Sequence, residues 1–158
     1  MSIRVTGLVL LLSIGLGGCS GSSREAPKVE LVPVQGTVKL GGKPTPDILV
    51  NLTPTGGTKG NGAWGKTDAS GTYKLVHLSS KDGVEPGEYV ISFSYLVATD
   101  GTPLPPNTSP TEVPSVQGIA PPWTESSSES LSQRVNVKKE GMMPLDFDVP
   151  PAKTLKKS

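Results

Sequence analysis

Hydrophobic and polar side chains alternate with a period of two along most of the chain beyond residue 32. Because successive side chains of a strand point to opposite faces, this alternation predicts strands that bury one face and expose the other. The predicted strands are seven short runs: residues 34–40, 48–52, 63–67, 73–75, 89–95, 131–137 and 145–149. We therefore predict an all-β fold, a seven-stranded antiparallel β-sandwich of two sheets, with no helix beyond the leader.

Turns that contain glycine and proline separate the predicted strands. Residues 41–44 read Gly-Gly-Lys-Pro and residues 68–71 read Asp-Ala-Ser-Gly, and both runs are typical of tight turns. Asp68 is expected to accept hydrogen bonds from backbone donors of its own turn, and Gly71 to take a positive φ. Gly36 lies inside a predicted strand, which indicates a bulge or a close crossing by another segment of the chain.

One long segment departs from the alternation. Residues 98–128 contain seven prolines and many serines and threonines, so little regular structure is expected there. A loop of this length inside a compact domain is either functional or disordered. We place the sandwich domain at residues 32–150 and a basic tail at residues 151–158. We interpret the tail either as a frayed, solvated end or as a contact for anionic lipid or another polyanion.

The chain begins with a short hydrophobic leader. Arg4 supplies a positive charge, and residues 5–16 are an apolar run too short to span a bilayer as a helix. The sequence Leu16-Gly17-Gly18-Cys19 resembles the lipobox of bacterial lipoproteins. The resemblance implies that residues 1–18 are a signal peptide and that Cys19 becomes an acylated N-terminus. The alternative is an ordinary signal peptide with a cysteine nearby by chance.

The lipobox also predicts a location and a partner. Acyl chains on Cys19 would anchor the protein durably in a membrane, since two or three chains suffice where one does not. Residues 19–31 are small, polar and charged, and we interpret them as a flexible tether. Ser20 follows the cysteine in place of the aspartate that retains enterobacterial lipoproteins in the inner membrane. The expected location is therefore the cell envelope, at the outer membrane rather than the inner membrane.

Charge and cysteine content narrow the class of protein. The 158-residue chain carries 15 Lys and Arg against 14 Asp and Glu, so no basic footprint for nucleic acid exists and we expect no nucleic-acid partner. Removal of residues 1–18 leaves 140 residues, enough for one domain with one core. Cys19 is the single cysteine, so the domain has no disulfide and must fold by packing alone.

Several segments together resemble carboxypeptidase regulatory-like domains. They are Val34-x-Gly36-x-Val38, Gly42-Lys43-Pro44, Val50-x-Leu52-x-Pro54, the run from Thr67 to Leu75, and Pro86-Gly87-Glu88-Tyr89-x-Ile91-x-Phe93. With the lipobox and the proline-rich loop, the layout is similar to small lipoproteins of planctomycete-type bacteria. The resemblance implies a transthyretin-like Greek-key sandwich and a structural or interaction role without catalysis or a cofactor.

Few residues are candidates for chemistry. His77 is the only histidine, and we interpret it as a surface or satisfied residue rather than a catalytic base. No Gly-x-Ser-x-Gly motif occurs, and the free ligand set is too poor for zinc, so we predict no metal site. Calcium accepts scattered carboxylates as ligands. The candidate calcium ligands are Asp68, or Asp146 together with Asp148. The alternative is that these carboxylates only face solvent.

Trp64 and Trp123 are the candidate ligand-binding residues. Each follows a loop rich in glycine or proline, and aromatic rings on rigid loops can stack on sugars or anchor a partner protein. The alternative is that each ring caps an end of the core. We predict a non-enzymatic, lipid-anchored envelope protein that contacts an envelope protein or polysaccharide. A carbohydrate-binding module that uses these tryptophans is the second hypothesis, and a hydrolase that uses His77 is the third.

Overall fold

A computed structural model describes residues 30–106, 108–127, 133–140 and 143–153. The strands in it are β1 (Val34–Leu40), β2 (Lys43–Pro44), β3 (Leu49–Thr55), β4 (Ala63–Lys66), β5 (Thr72–Lys74), β6 (Val76–His77), β7 (Gly87–Ser94), β8 (Leu96–Ala98), β9 (Ser115–Gln117), β10 (Arg134–Val137), β11 (Met143–Pro144) and β12 (Phe147–Val149). The prediction of an all-β fold is confirmed, and the described residues contain no α-helix. The count of seven is not confirmed, because these residues form twelve strand segments.

The predicted signal peptide, Cys19 and most of the tether lie outside the described residues. The same holds for residues 154–158 of the basic tail and for the first part of the predicted strand at residues 131–137. The structure therefore bears on the domain and not on the anchor.

The first sheet is built around β1. β5 pairs with β1 in antiparallel orientation, with Gly36 opposite Tyr73. β11 and β12 lie along the other edge of β1 and run parallel to it, with Val38 beside Phe147. Alternation predicts strands without their direction, and this parallel pairing of the first and last strands departs from the expected antiparallel arrangement.

The second sheet is antiparallel throughout and has the order β10-β7-β3-β4-β6. β3 lies at its centre, because Asn51 pairs with Trp64 of β4 on one side and with Ser92 of β7 on the other. The chain thus passes from β3 to its neighbour β4, and later returns with β7 to the opposite edge of β3.

Side chains from both sheets form one hydrophobic core, which gives the molecule its β-sandwich character. Val38 and Val149 of the first sheet and Ile91 of the second are fully buried. Phe93 of β7 meets Phe147 of β12 edge to face, with ring centroids 5.3 Å apart. The alternation that predicted the strands therefore also identified their buried faces.

The last strand is attached to β1 by specific polar contacts. A Cβ at Gly36 would overlap the carbonyl oxygen of Leu145, so glycine lets the two backbones approach, and the predicted close crossing is confirmed. The same carbonyl accepts the hydroxyl of Tyr73 at 2.7 Å. Asp146 Oδ1 accepts the Thr37 N–H at 2.7 Å. Thr37 lies between the part of β1 that pairs with β11 and the part that pairs with β12.

The proline-rich segment contains more regular structure than expected. β8 and β9 form a two-stranded hairpin around residues 99–114. Beyond it the chain returns to the body of the domain, where Ile119 is buried and the carbonyl of Trp123 accepts the Phe93 N–H at 2.9 Å. Prolines interrupt a ladder but do not prevent short pairs or packing, which explains the difference.

The registers divide the loops between two ends of the sandwich. Thr55 pairs with Glu88, and Val137 with Gly87, so the loops that adjoin these residues share one end with the start of β1. We call residues 30–32, 56–62, 78–86 and 138–140 the Glu30 end. We call residues 41–47, 67–71 and 99–114 the hairpin end, because Leu49, Lys66 and Ser94 are paired there.

Candidate functional site

A row of side chains crosses the outer face of the second sheet. Trp64 of β4 pairs with Val76 of β6 on one side and with Asn51 of β3 on the other, and Asn51 pairs with Ser92 of β7. Ala63 and Gly65 are buried, so alternation turns Trp64 outward, where 44% of the residue is exposed. The indole is therefore presented on the surface beside an amide and a hydroxyl.

A shallow groove of about 440 Å³ lies beside this row. It forms where β3 and β4 diverge beyond the Leu52–Ala63 pair, and Trp64 and Leu78 lie along it with Asn51, Ser92 and Ser126. None of the residues that line it is charged. Such a lining suits a neutral ligand or an apolar surface rather than an anion or a metal ion.

Leu78 is the most exposed large hydrophobic residue of the described chain, at 63%. It follows β6, and its N–H reaches the carbonyl of Gly62 at 3.2 Å, which places it at the Glu30 end of the groove. Sequence analysis did not identify Leu78, Asn51 or Ser92. Asn51 and Ser92 had only an outward position in an alternating run, and Leu78 lies outside the predicted strands, so the strand pairing that brings them together was needed to find them.

His77 is buried beneath this surface rather than exposed on it. Only 3% of the residue is accessible, and its Nδ1 accepts the Ser79 N–H at 3.1 Å and lies 2.7 Å from Ser79 Oγ. A backbone N–H always donates, so Nδ1 is unprotonated and the ring proton is on Nε2. Nε2 is 3.7 Å from Glu85 Oε1, too far for a hydrogen bond, and has no other partner among the described residues.

These contacts give His77 a role in the turn that follows β6. Ser79 is two residues from His77, and both of its contacts to the ring close that turn. Glu85 is held in turn, since its other carboxylate oxygen accepts the Asn61 N–H at 2.7 Å. The imidazole of His77 is thus held by the turn that follows β6, while Glu85 is held by the loop of residues 56–62.

Trp123 occupies a different environment from Trp64. Its ring packs against Phe93 and Phe147, with centroid distances of 6.1 and 6.3 Å. It therefore closes the core between the two sheets. This fits the alternative interpretation, in which the tryptophan ring caps the core. The structure does not bring the two tryptophans together, and only Trp64 lies beside the groove.

The candidate carboxylates for calcium are used in backbone contacts. Asp68 Oδ1 accepts the N–H groups of Ser70 and Thr72 at 2.8 and 3.0 Å, as predicted for its turn. The Ser70 hydroxyl and these two N–H groups hold the pKa of Asp68 below its usual value. Asp146 binds Thr37 as described, and Asp148 Oδ1 accepts the Gly42 N–H at 2.8 Å.

Across the described ranges, no three His, Cys, Asp or Glu side chains are grouped so that they could hold a metal ion. No helix in that part of the chain has the length and apolar character to cross a membrane. No protein-family model, curated protein or solved structure matches this chain.

Proposed function

We propose that the protein is a non-enzymatic, lipid-anchored component of the cell envelope. In this proposal acyl chains on Cys19 hold it at the membrane, and its β-sandwich acts as a structural or interaction module. The observation that carries the proposal is the placement of the chain ends and loops. The described chain begins at the Glu30 end, whereas the β8–β9 hairpin projects from the opposite end, so a membrane anchor would leave the hairpin directed away from the bilayer.

For the fold we propose the Greek-key, transthyretin-like topology of carboxypeptidase regulatory-like domains. Two features support it. β3 is followed by its hairpin partner β4, and β7 later returns by a long connection to the other edge of β3, which is the defining step of a Greek key. The two five-stranded sheets also share one core.

The anchor is tested by intact mass on protein purified from native membranes, with Cys19→Ala as the control. A mature chain that begins at Cys19 and carries acyl mass, lost in the control, is the expected result. An unacylated mass would contradict the anchor and make the domain a freely secreted module. Fractionation of the same cells tests the outer membrane, the location that Ser20 favours.

The second candidate is a carbohydrate-binding module. The observation that favours it is the exposed indole of Trp64 between Val76 and Asn51, because a sugar ring can stack on the indole while an amide binds its hydroxyls. Trp123→Phe leaves Trp64 as the sole tryptophan of the chain. Saturable quenching of its emission by an envelope polysaccharide would support this function, provided that Asn51→Ala weakens the effect.

A further inference from the structure

The start of the described chain is attached to the loops of the Glu30 end. Val32 and Val84 exchange two backbone hydrogen bonds, at 2.8 and 2.9 Å. A Cβ built on Gly83 would lie 3.1 Å from the Cβ of Leu31, so the chain arrives directly against this loop. Any tether to a membrane therefore leaves the domain from the Glu30 end and not from its opposite end.

Leu78 belongs to the same end. The backbone N–H of His77 donates to the carbonyl of Lys81 at 2.8 Å, and Val76 forms a β-bridge with Asp82. Residues 76–82 therefore fold back as a tight loop, with Leu78 at its turn. Residues 82–84 connect the two segments, since Val84 is bonded to Val32 on one side and Gly83 donates its N–H to the Leu75 carbonyl on the other.

The exposed residues of this end combine one apolar residue with charges of both signs. Leu78 is 63% exposed. The exposed lysines are Lys59, Lys81, Lys138 and Lys139, and the exposed acids are Glu30, Asp82 and Glu140. Trp64 lies two residues further along β4 from Gly62, the residue opposite Leu78, and it borders the groove.

We propose that the Glu30 end docks on the membrane surface, with Leu78 inserted into the lipid interface and Trp64 at its rim. This inference depends on the lipid anchor proposed above. An exposed leucine gains free energy only in an apolar medium, and tryptophan favours the boundary between lipid and water. Lys81, in the same loop as Leu78, would reach lipid phosphates while its stem remains near the acyl boundary.

The length of the tether is the reason to choose a lipid surface over a soluble partner. Ten residues separate Cys19 from Glu30. A flexible chain of that length has a root-mean-square extension of roughly 17 Å, and a maximum of about 35 Å. The Glu30 end is therefore held within reach of the bilayer at an effective concentration of about millimolar, so even a weak contact through one leucine is populated.

Docking would fix the orientation of the whole domain. The sandwich would stand with the Glu30 end on the bilayer, and residues 99–114 would face the space beyond the membrane. The groove beside Trp64 would then open next to the lipid headgroups, which is a poor position for a long polysaccharide.

The test uses tryptophan reporters at both ends of the acylated protein, in the Trp64→Phe, Trp123→Phe background. Leu78→Trp reports on the Glu30 end, and Leu96→Trp, at another exposed leucine, reports on the hairpin end. Each variant is purified from membranes and reconstituted into phosphatidylcholine vesicles, with and without phosphatidylglycerol, that contain brominated lipid. Vesicle flotation measures the anchor, and quenching by bromine measures docking.

We expect both variants to float, with blue-shifted and quenched emission at position 78 and unchanged emission at position 96. Equal emission at the two positions in floated protein would overturn docking and leave the anchor intact. Failure to float would overturn the anchor and docking together. In the acylated Trp123→Phe variant, which keeps Trp64, emission that responds to added polysaccharide and not to brominated lipid would overturn docking in favour of the carbohydrate function.

A second measurement does not depend on the reporters. In protein with its native tryptophans, vesicles should protect backbone amides of residues 78–82 from hydrogen exchange, and Leu78→Ser should remove that protection. Leu96→Ser is the matched control and should leave it unchanged. Protection that is the same in both variants would contradict insertion of Leu78.

Discussion

Gly36 controls the contact between the first and last strands of the domain. Its α-carbon faces the backbone of Leu145, and a methyl group there would overlap the carbonyl oxygen that also accepts the Tyr73 hydroxyl. We expect Gly36→Ala to lower the free energy of unfolding by about 3 kcal/mol or more, because backbone on both sides must move. Urea unfolding followed by circular dichroism measures this loss.

Lys39→Ala is the matched control for Gly36→Ala. Lys39 is exposed on the same strand, and such substitutions usually change stability by about 0.5 kcal/mol or less. Equal unfolding midpoints for the two variants would show that the C-terminal strand does not approach β1 at Gly36.

The three tyrosines predict how stability falls at alkaline pH. Burial, and then the charge of Glu85, raises the pKa of Tyr89 to about 12, and burial also raises the pKa values of Tyr73 and Tyr95. In the unfolded chain each ionises near pH 10, at about its ordinary pKa. Above about pH 10 the unfolded state therefore binds fewer protons than the folded state. The stability that these tyrosines contribute is fully present below about pH 10 and is lost as the pH rises through about 12.

The alkaline effect is measured by thermal unfolding between pH 8 and 12 together with the near-ultraviolet absorbance of tyrosinate. We expect tyrosinate to appear only as the protein unfolds, and Tyr89→Phe to reduce the loss of melting temperature above about pH 10. Tyrosinate absorbance that rises in the folded protein near that pH would contradict the burial of these phenols.

The hydrogen-bond partners of single carboxylates could be predicted from the sequence only where those partners are local. Asp68 binds N–H groups two and four residues away, and its turn could be predicted from spacing alone. Asp146 binds Thr37 across 109 positions, and Asp148 binds Gly42 across 106. No local pattern encodes such partners, so these two carboxylates could only be described as solvent-facing groups or candidate calcium ligands.

At the level of elements, Trp123 and Trp64 provide a contrast in stability. Trp123 packs on Phe93 and Phe147 and attaches the end of the proline-rich segment to β7, whereas Trp64 is 44% exposed. We expect Trp123→Ala to cost about 2–3 kcal/mol, somewhat below the range for a fully buried aromatic residue, and Trp64→Ala less than about 1 kcal/mol. Chemical denaturation of both variants measures the difference, and equal losses would contradict it.

The same comparison shows what alternation can and cannot predict. β1, β3 and β7 are long enough to show a period of two; the first predicted strand coincides with β1, and the predictions at 48–52 and 89–95 overlap β3 and β7. β2, β8 and β9 have two or three residues, too few for any period, and β8 and β9 flank a run of prolines. The half-buried ring of Trp123 was ambiguous for the same reason, since a residue outside an alternating run carries no signal for its face.

On the scale of the whole molecule, the fold depends on contacts between distant parts of the chain. The parallel pairing of β1 with β11 and β12 joins residues 109 positions apart, and Val149 and Val38 are both fully buried by it. Folding that awaits such contacts is slow in general, because loop closure costs entropy before the contacts form. The first sheet is therefore complete only when the C-terminal strand has been added.

A truncation tests this dependence directly. A chain that stops after Pro144 lacks β12, the Leu145 carbonyl and the two aspartates that bind β1, so we expect it to lose cooperative unfolding. A chain that stops after Lys153 keeps all of these groups and should unfold like the full-length protein. Near-ultraviolet circular dichroism during a urea titration distinguishes the two outcomes. Cooperative unfolding of the shorter chain would show that the second sheet and its share of the core suffice, and that the parallel closure is an addition to the fold and not a requirement for it.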